Sequence, residues 1–452
     1  MTLRDDIREH FANEAARFPS PHGLESAVAA HAAAQADGPR RISWAPAVVA
    51  ALLGIAIIAG LLAAGSLRHS RTNTTVPAGS VPVAPPSVVT GSGRWMRVSD
   101  MSTPRVNFTA TLLKSGKVLI VGGQFEWVVP GNTTDSVEMY DPTSQKFTNA
   151  ASLGSPRAGQ TATLLSDGRV LVAGGYTSLG IQALTSTEIY NPANDTWSPG
   201  APMSLGRAQA AAVPLKNGTV LVVGGGQTGV MGTGTQPAGT LAEIYDPAKD
   251  AWTPAGNLAY GRAVHPTATL LADGRVLVVG GRALFNTPEN AVERSEIFDP
   301  SNNRWSAVPA NNRTGARQDH SATLLANGDV LIAGGSPVPD AALSYSDLFS
   351  PKTNSWISVS NMRSSRCGQA AVLLPTGNAM VIGGGCGWSN QTSSVEEFNW
   401  STKTWTEVAP LSIQRGRIQA VVLADGSVLA LGGLAAGNNT SAMAELFSPA
   451  PE

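Results

Sequence analysis

The residues of this 452-residue chain whose types could do chemistry are few. His265 and His320 each stand three residues after an Arg, Arg262 and Arg317, and two imidazoles brought together could ligate a metal ion. Cys367 and Cys386 are the only two cysteines, too few for a disulfide scaffold and too widely spaced for a zinc knuckle, but enough for one structural bond. Seven Arg (Arg105, Arg157, Arg207, Arg262, Arg317, Arg366, Arg415) and seven acids (Glu138, Glu188, Glu243, Glu296, Asp347, Glu396, Glu445) could each, taken singly, serve as acid, base or anion ligand. They recur at matching intervals. A working group is needed once, so groups present seven times argue for hydrogen-bonded pairs in a scaffold. No phosphate loop, paired catalytic carboxylates or Ser-His-Asp order rises above background.

The elements that must position these residues follow from the repeat itself. Gly-Gly pairs begin at Gly122, Gly174, Gly224, Gly280, Gly334, Gly383 and Gly432, spaced by 49 to 56 residues. Six residues before each pair stands another Gly behind a turn former, as in Asp167-Gly168 and Asn217-Gly218, flanked by apolar runs such as Thr161-Ala162-Thr163-Leu164-Leu165 and Val170-Leu171-Val172-Ala173. Such dipeptides supply positive φ cheaply and predict two-residue hairpin turns. A third strand carries the acid, an apolar residue and an aromatic. A fourth is anchored by Phe147, Trp197, Trp252, Trp305, Trp356 or Trp405. Each repeat Arg lies eleven residues before the turn Gly except Arg262, which lies twelve before, so a bulge or loop insertion is expected there. The seventh unit runs out before its fourth-strand aromatic, while Trp95 precedes the first hairpin; the N-terminal strand should complete the seventh blade.

These units resemble the kelch repeat, and their hairpins are most similar to the kelch units of galactose-oxidase-type propellers. The resemblance implies an all-β fold: a seven-bladed propeller of four-stranded antiparallel blades over residues 93–452. Enzymes of the galactose-oxidase type use His ligands with two Tyr and a Tyr–Cys crosslink. Here the only tyrosines outside the repeat positions are Tyr176, Tyr260 and Tyr345, and none adjoins a His, so no metal, cofactor or catalytic residue is expected. No Ser-x-Asp-x-Gly-x-x-Trp box supports sialidase chemistry either.

In such a blade the loop between strands two and three shares a face with the connection to the next blade. The long loops all follow Gly-Gly and gather there. Their Phe125, Trp127, Tyr176, Gln227, Arg282, Phe285, Trp388 and Asn390, with His320, form the expected ligand-binding set, since rings stack on sugar or peptide faces and amides satisfy hydroxyls. A two-residue turn at Thr376-Gly377 would place Cys367 directly opposite Cys386, with Cβ atoms about 4.5–5.5 Å apart, and a disulfide between them is expected.

Residues 1–41 read as a short helical cytoplasmic segment. From Ile42 to Leu67 no charge interrupts 26 positions, long enough at about 1.5 Å per residue to cross a bilayer. A cleaved signal peptide would have a shorter apolar run, so an uncleaved, bacterial-type signal anchor is expected, with residues 42–67 in the lipid bilayer and a Pro/Ser/Thr spacer over 68–92. Five Arg before this stretch lean the N-terminus inward and the propeller outside the cytoplasm. A net charge of −1 argues against a nucleic-acid partner. The expected function is recognition of a glycan or protein ligand by a membrane-anchored module. The alternatives are a carbohydrate-active oxidase or sugar isomerase, and a transmembrane sensor whose residues 1–41 touch a regulator.

Overall fold

A computed structural model of the chain describes residues 93–125, 132–177, 183–226, 238–282, 294–310, 317–338, 341–386 and 390–449. The expected helical segment, membrane helix and spacer all lie outside these residues. Among the described residues no helix is long and apolar enough to cross a membrane.

Twenty-eight strands, numbered β1–β28 in chain order, form seven four-stranded antiparallel sheets. The first blade is β2 (Thr109–Leu112), β3 (Val118–Val121), β4 (Val137–Asp141) and β5 (Lys146–Ala150), and five further blades repeat this order. The seventh takes β26 (Gln419–Val422), β27 (Val428–Leu431) and β28 (Ala444–Pro449) from the C-terminal end, and β1 (Gly93–Arg97) from the N-terminal side as its outer strand. Trp95 pairs with Phe447 in that ladder, and β26 lies against β2, so the ring is closed. Closure removes the long exposed edges that an open array would present.

The second strand of each blade explains the run of Val, Leu and Ile between turn and Gly-Gly. In β3 all four residues are buried; Val118 and Ile120 pack toward the seventh blade with Leu429 and Leu431, while Leu119 and Val121 pack toward the second with Val170 and Val172. A strand with no solvent face has no polar position, so alternation disappears. The Gly-Gly pair is the joint between blades. Gly123 N donates to Arg157 O of the next blade at 2.8 Å, and a Cβ on Gly122, whose φ is 60°, would lie 2.5 Å from that same carbonyl oxygen.

Outer strands are joined across blades by indole N–H groups. Trp197, Trp252, Trp305, Trp356 and Trp405 each donate to a carbonyl of the preceding blade, and Trp95 does the same to Ala409 O at 2.9 Å. Phe147 has no such donor; at its joint Ser99 Oγ donates instead to Gln145 O at 2.8 Å.

Two expectations need correction. The hairpins have three-residue loops: in the first blade Leu113 and Lys117 pair, Gly116 N donates back to Leu113 O, and Gly116 has φ 82°. This is a turn closed by a glycine bulge, and all seven hairpins share it. The extra residue moves the register by one, as one more residue in a loop must. Cys367 therefore faces Gly385, whose N–H donates to Cys367 O at 2.7 Å, and Cys386 is the next residue along. The two cysteines are nevertheless joined, with Cα atoms 5.3 Å apart. The bulge expected after Arg262 is present: Ala263 N and Val264 N both donate to Arg282 O.

Candidate binding site at the channel mouth

The repeat Arg and acid occupy the blade interior. Arg105 is fully buried, donates to Gly122 O and Ser136 O, and meets Glu138 at 2.6 Å; Glu138 also accepts the Ser102 N–H at 2.7 Å. Arg157–Glu188, Arg207–Glu243, Arg262–Glu296, Arg317–Asp347, Arg366–Glu396 and Arg415–Glu445 repeat the pair. Burial pushes each guanidinium below its ordinary pKa, while its carboxylate partner opposes the shift. These groups tie the third strand to the blade entry and have no room for a ligand.

Immediately after each Arg the chain enters the innermost strand through a left-handed residue. The seven are Asn107 (φ 54°), Gly159 (64°), Gln209 (57°), His265 (48°), Asp319 (53°), Gly368 (56°) and Arg417 (51°). They are linked blade to blade: Gly159 N donates to Asn107 O, Gln209 N to Gly159 O, His265 N to Gln209 O, Gly368 N to Asp319 O and Arg417 N to Gly368 O, over 2.7–3.2 Å. The ring therefore surrounds the axis on the face that carries the loops after Gly-Gly. Left-handed backbone costs a non-Gly residue roughly 1–2 kcal/mol, yet five of the seven positions carry a polar side chain there. Strain retained in this way clusters at working sites.

Three of these side chains meet across the axis. Arg417 of the seventh blade extends over Gly368 of the sixth, where a Cβ would lie 3.3 Å from Arg417 Cγ. Its Nη1 lies 3.3 Å from His265 Nε2 of the fourth blade and 3.4 Å from Asp319 Oδ1 of the fifth, and His265 Nε2 lies 3.6 Å from Asp319 Oδ1. Burial holds the His265 imidazole below its ordinary pKa; Arg417 and Arg282 add to this and Asp319 opposes it. For Asp319, burial disfavours the carboxylate, but Arg417, His265, His320 and Arg282 together outweigh it and hold the group below the usual carboxylate range.

A second network at the mouth joins uncharged side chains. Tyr176 Oη donates to Gln124 Oε1 at 2.6 Å and accepts from Asn107 Nδ2 at 2.9 Å. Burial pushes its phenol pKa up to about 12. Phe125, Tyr260 and Tyr345 are exposed, with Arg294 stacked 5.6 Å from the Tyr260 ring centre.

Of the residues expected from sequence, Tyr176 and Arg282 stand at the mouth, Tyr176 buried and Arg282 paired with Val264 in the backbone ladder. Phe125 and Asn390 are exposed, whereas Trp127, Gln227, Phe285 and Trp388 lie outside the described residues. His320 is buried between blades, with Nε2 2.8 Å from Thr267 Oγ1, and burial depresses its pKa to about 3. The two histidines share a spacing from Arg but not a place, because the bulge after Arg262 shifts His265 one residue onward into the ring. Sequence reasoning missed Asn107, Gln124, Gln209, Asp319 and Arg417. Asn107, Gln209, Asp319 and Arg417 each stand two residues after a repeat Arg, and Gln124 directly follows a Gly-Gly pair; their only sequence signal is this fixed place in the repeat.

The fold is a closed, seven-bladed β-propeller with its distinctive chemistry at one end of the axis. The kelch motif model matches residues 104–154, 157–204 and 366–412, so the first, second and sixth blades of this seven-bladed propeller carry kelch motifs. It is 25% identical over 227 residues to Kelch-like protein 15 of Danio rerio, a match covering 47% of this chain and 35% of that protein, so about a third of the relative's length is spanned. A solved fungal alcohol oxidase of the AA5 family, in complex with copper, has a TM-score of 0.64 at 19% identity, covering 79% of this chain and 76% of the other. That likeness concerns the fold. Among the described residues the mouth offers one imidazole and one carboxylate with a guanidinium beside both, and no three His, Cys, Asp or Glu side chains converge.

Proposed function

We propose that this chain is a recognition module that binds a glycan or protein ligand at the loop-side mouth of its propeller. One observation carries the reading: Asn107, Gln209, His265, Asp319 and Arg417 stand on left-handed backbone around the axis, the last three in contact, with the exposed Phe125 directly after Gln124 of the Tyr176 network. Amides and a guanidinium satisfy hydroxyls, carbonyls or carboxylates, and the rings supply flat apolar contact. No observation among the described residues favours the enzymatic alternative.

A glycan and protein array probed with the full chain tests the reading. Arg417→Ala and Asp319→Asn should each lower binding by about tenfold or more, while Leu373→Ala, on the opposite face, should leave it unchanged. Retained binding in the first two variants removes the mouth as the site.

We further propose that residues 42–67 anchor the module in a membrane, that 1–41 face the cytoplasm, and that the spacer 68–92 holds the propeller outside it. The uncharged 26-residue stretch supports this, as does the Cys367–Cys386 bond, since disulfides persist in oxidising compartments. A reporter active only outside the cytoplasm, fused after Glu452, should be active; a silent reporter overturns the placement.

A further inference from the structure

We propose that Arg417, His265 and Asp319 form a pH-operated latch at the mouth, in which neutral His265 holds Arg417 across the axis and protonated His265 turns to Asp319 and releases it. The inference concerns regulation of the binding site proposed above and rests on that reading for its use, but its geometry stands alone.

A guanidinium only donates, so the 3.3 Å contact from Arg417 Nη1 to His265 Nε2 requires that nitrogen to be unprotonated, with the ring proton on Nδ1. Adding a proton at Nε2 removes the acceptor and places a second cation against the guanidinium. The same nitrogen then becomes a donor whose nearest acceptor is Asp319 Oδ1, 3.6 Å away. Asp319 is already shared with Arg417, at 3.4 Å to Nη1 and 3.5 Å to Nη2, so the imidazolium competes for the partner that holds Arg417 in place. One proton from solvent thus changes both contacts, and its loss restores both.

The charged and titratable groups acting on His265 are Asp319 of the fifth blade, Arg417 of the seventh and Arg282 of its own blade, while His320 lies close enough to act on Asp319 and to feel His265. Burial, with Arg417 and Arg282 adding to it and Asp319 opposing, favours the neutral imidazole at neutral pH. The exchange therefore sets in below the ordinary imidazole pKa of about 6.5. Asp319 stays ionised through that window, since its neighbours hold it below the usual carboxylate range.

The backbone supplies the readout. Arg417 N donates to Gly368 O and Gly368 N to Asp319 O, so release of the Arg417 side chain loosens two defined amides. Their exchange in the full chain, corrected for intrinsic rates, should quicken by about tenfold or more between about pH 8 and about pH 4. In His265→Gln, whose amide oxygen accepts at every pH, it should not respond. Nitrogen-15 spectra of labelled histidine should show the Nδ1–H tautomer at neutral pH, with titration tracking the exchange. Equal pH dependence in wild type and His265→Gln, or an Nε2–H tautomer, overturns the latch. Array binding that is lost in Arg417→Ala while exchange is flat leaves the binding site standing without it; the reverse result separates them the other way.

Discussion

The repeat Arg and the ring residue lie two positions apart in six blades and three apart in the fourth, on backbone that repeats seven times, yet they obey opposite rules. At the first position the chain uses Arg in every blade, always buried against an acid. At the second it uses Asn, Gly, Gln, His, Asp, Gly and Arg, although left-handed backbone favours Gly throughout. Uniform chemistry marks what every blade needs to stand. Varied chemistry on a uniform frame marks what the assembled ring presents once.

The sharpest way to break this contrast is to remove an acid of the first set. Glu396→Ala leaves the Arg366 guanidinium buried and unpaired and should cost about 3–5 kcal/mol in urea unfolding. A loss below about 1 kcal/mol would mean that the pair does not hold the blade.

The two histidines sharpen it next. His320, buried and neutral, belongs with the scaffold. Because its folded pKa, about 3, lies below the unfolded value, stability is intact above about pH 6.5 and falls as pH drops through that value. At about pH 5 the loss should be about 2 kcal/mol. His320→Gln should remove most of it, since Gln160 and Gln369 fill the corresponding place in other blades and donate there to Val121 O and Ala333 O. An unchanged slope of stability against pH would put the acid sensitivity elsewhere.

The smallest effect belongs to the ring. Gln209→Gly relieves left-handed strain and should leave the unfolding midpoint unchanged or raise stability by up to about 1 kcal/mol, while array binding falls. Destabilisation by more than that would make Gln209 part of the scaffold.

The scaffold was legible because each of its features is local and recurs. Asp167-Gly168, the apolar run after it, Gly174-Gly175, Glu188 and Trp197 each report a short-range requirement of one blade, and seven copies exclude coincidence. Even the extra residue after Arg262 announced its bulge. The turn length was not legible, since Gly at positive φ serves two-residue and three-residue loops alike, and the cysteine register moved with it. His320 was misplaced for a related reason: equal spacing from Arg put it beside His265 on paper, and the bulge separated them in space.

The amino-acid sequence by itself therefore determined the number of blades, their strand order and the completion of the seventh by the strand carrying Trp95, because hydrogen-bonded ladders and buried apolar strands impose periods that a linear reading can count. The meeting of Arg417, His265 and Asp319 was decided only by the tertiary structure. Those residues are separated by up to 152 positions; the repeat gives each its place in its own blade, but only closure of the ring brings the seventh blade opposite the fourth.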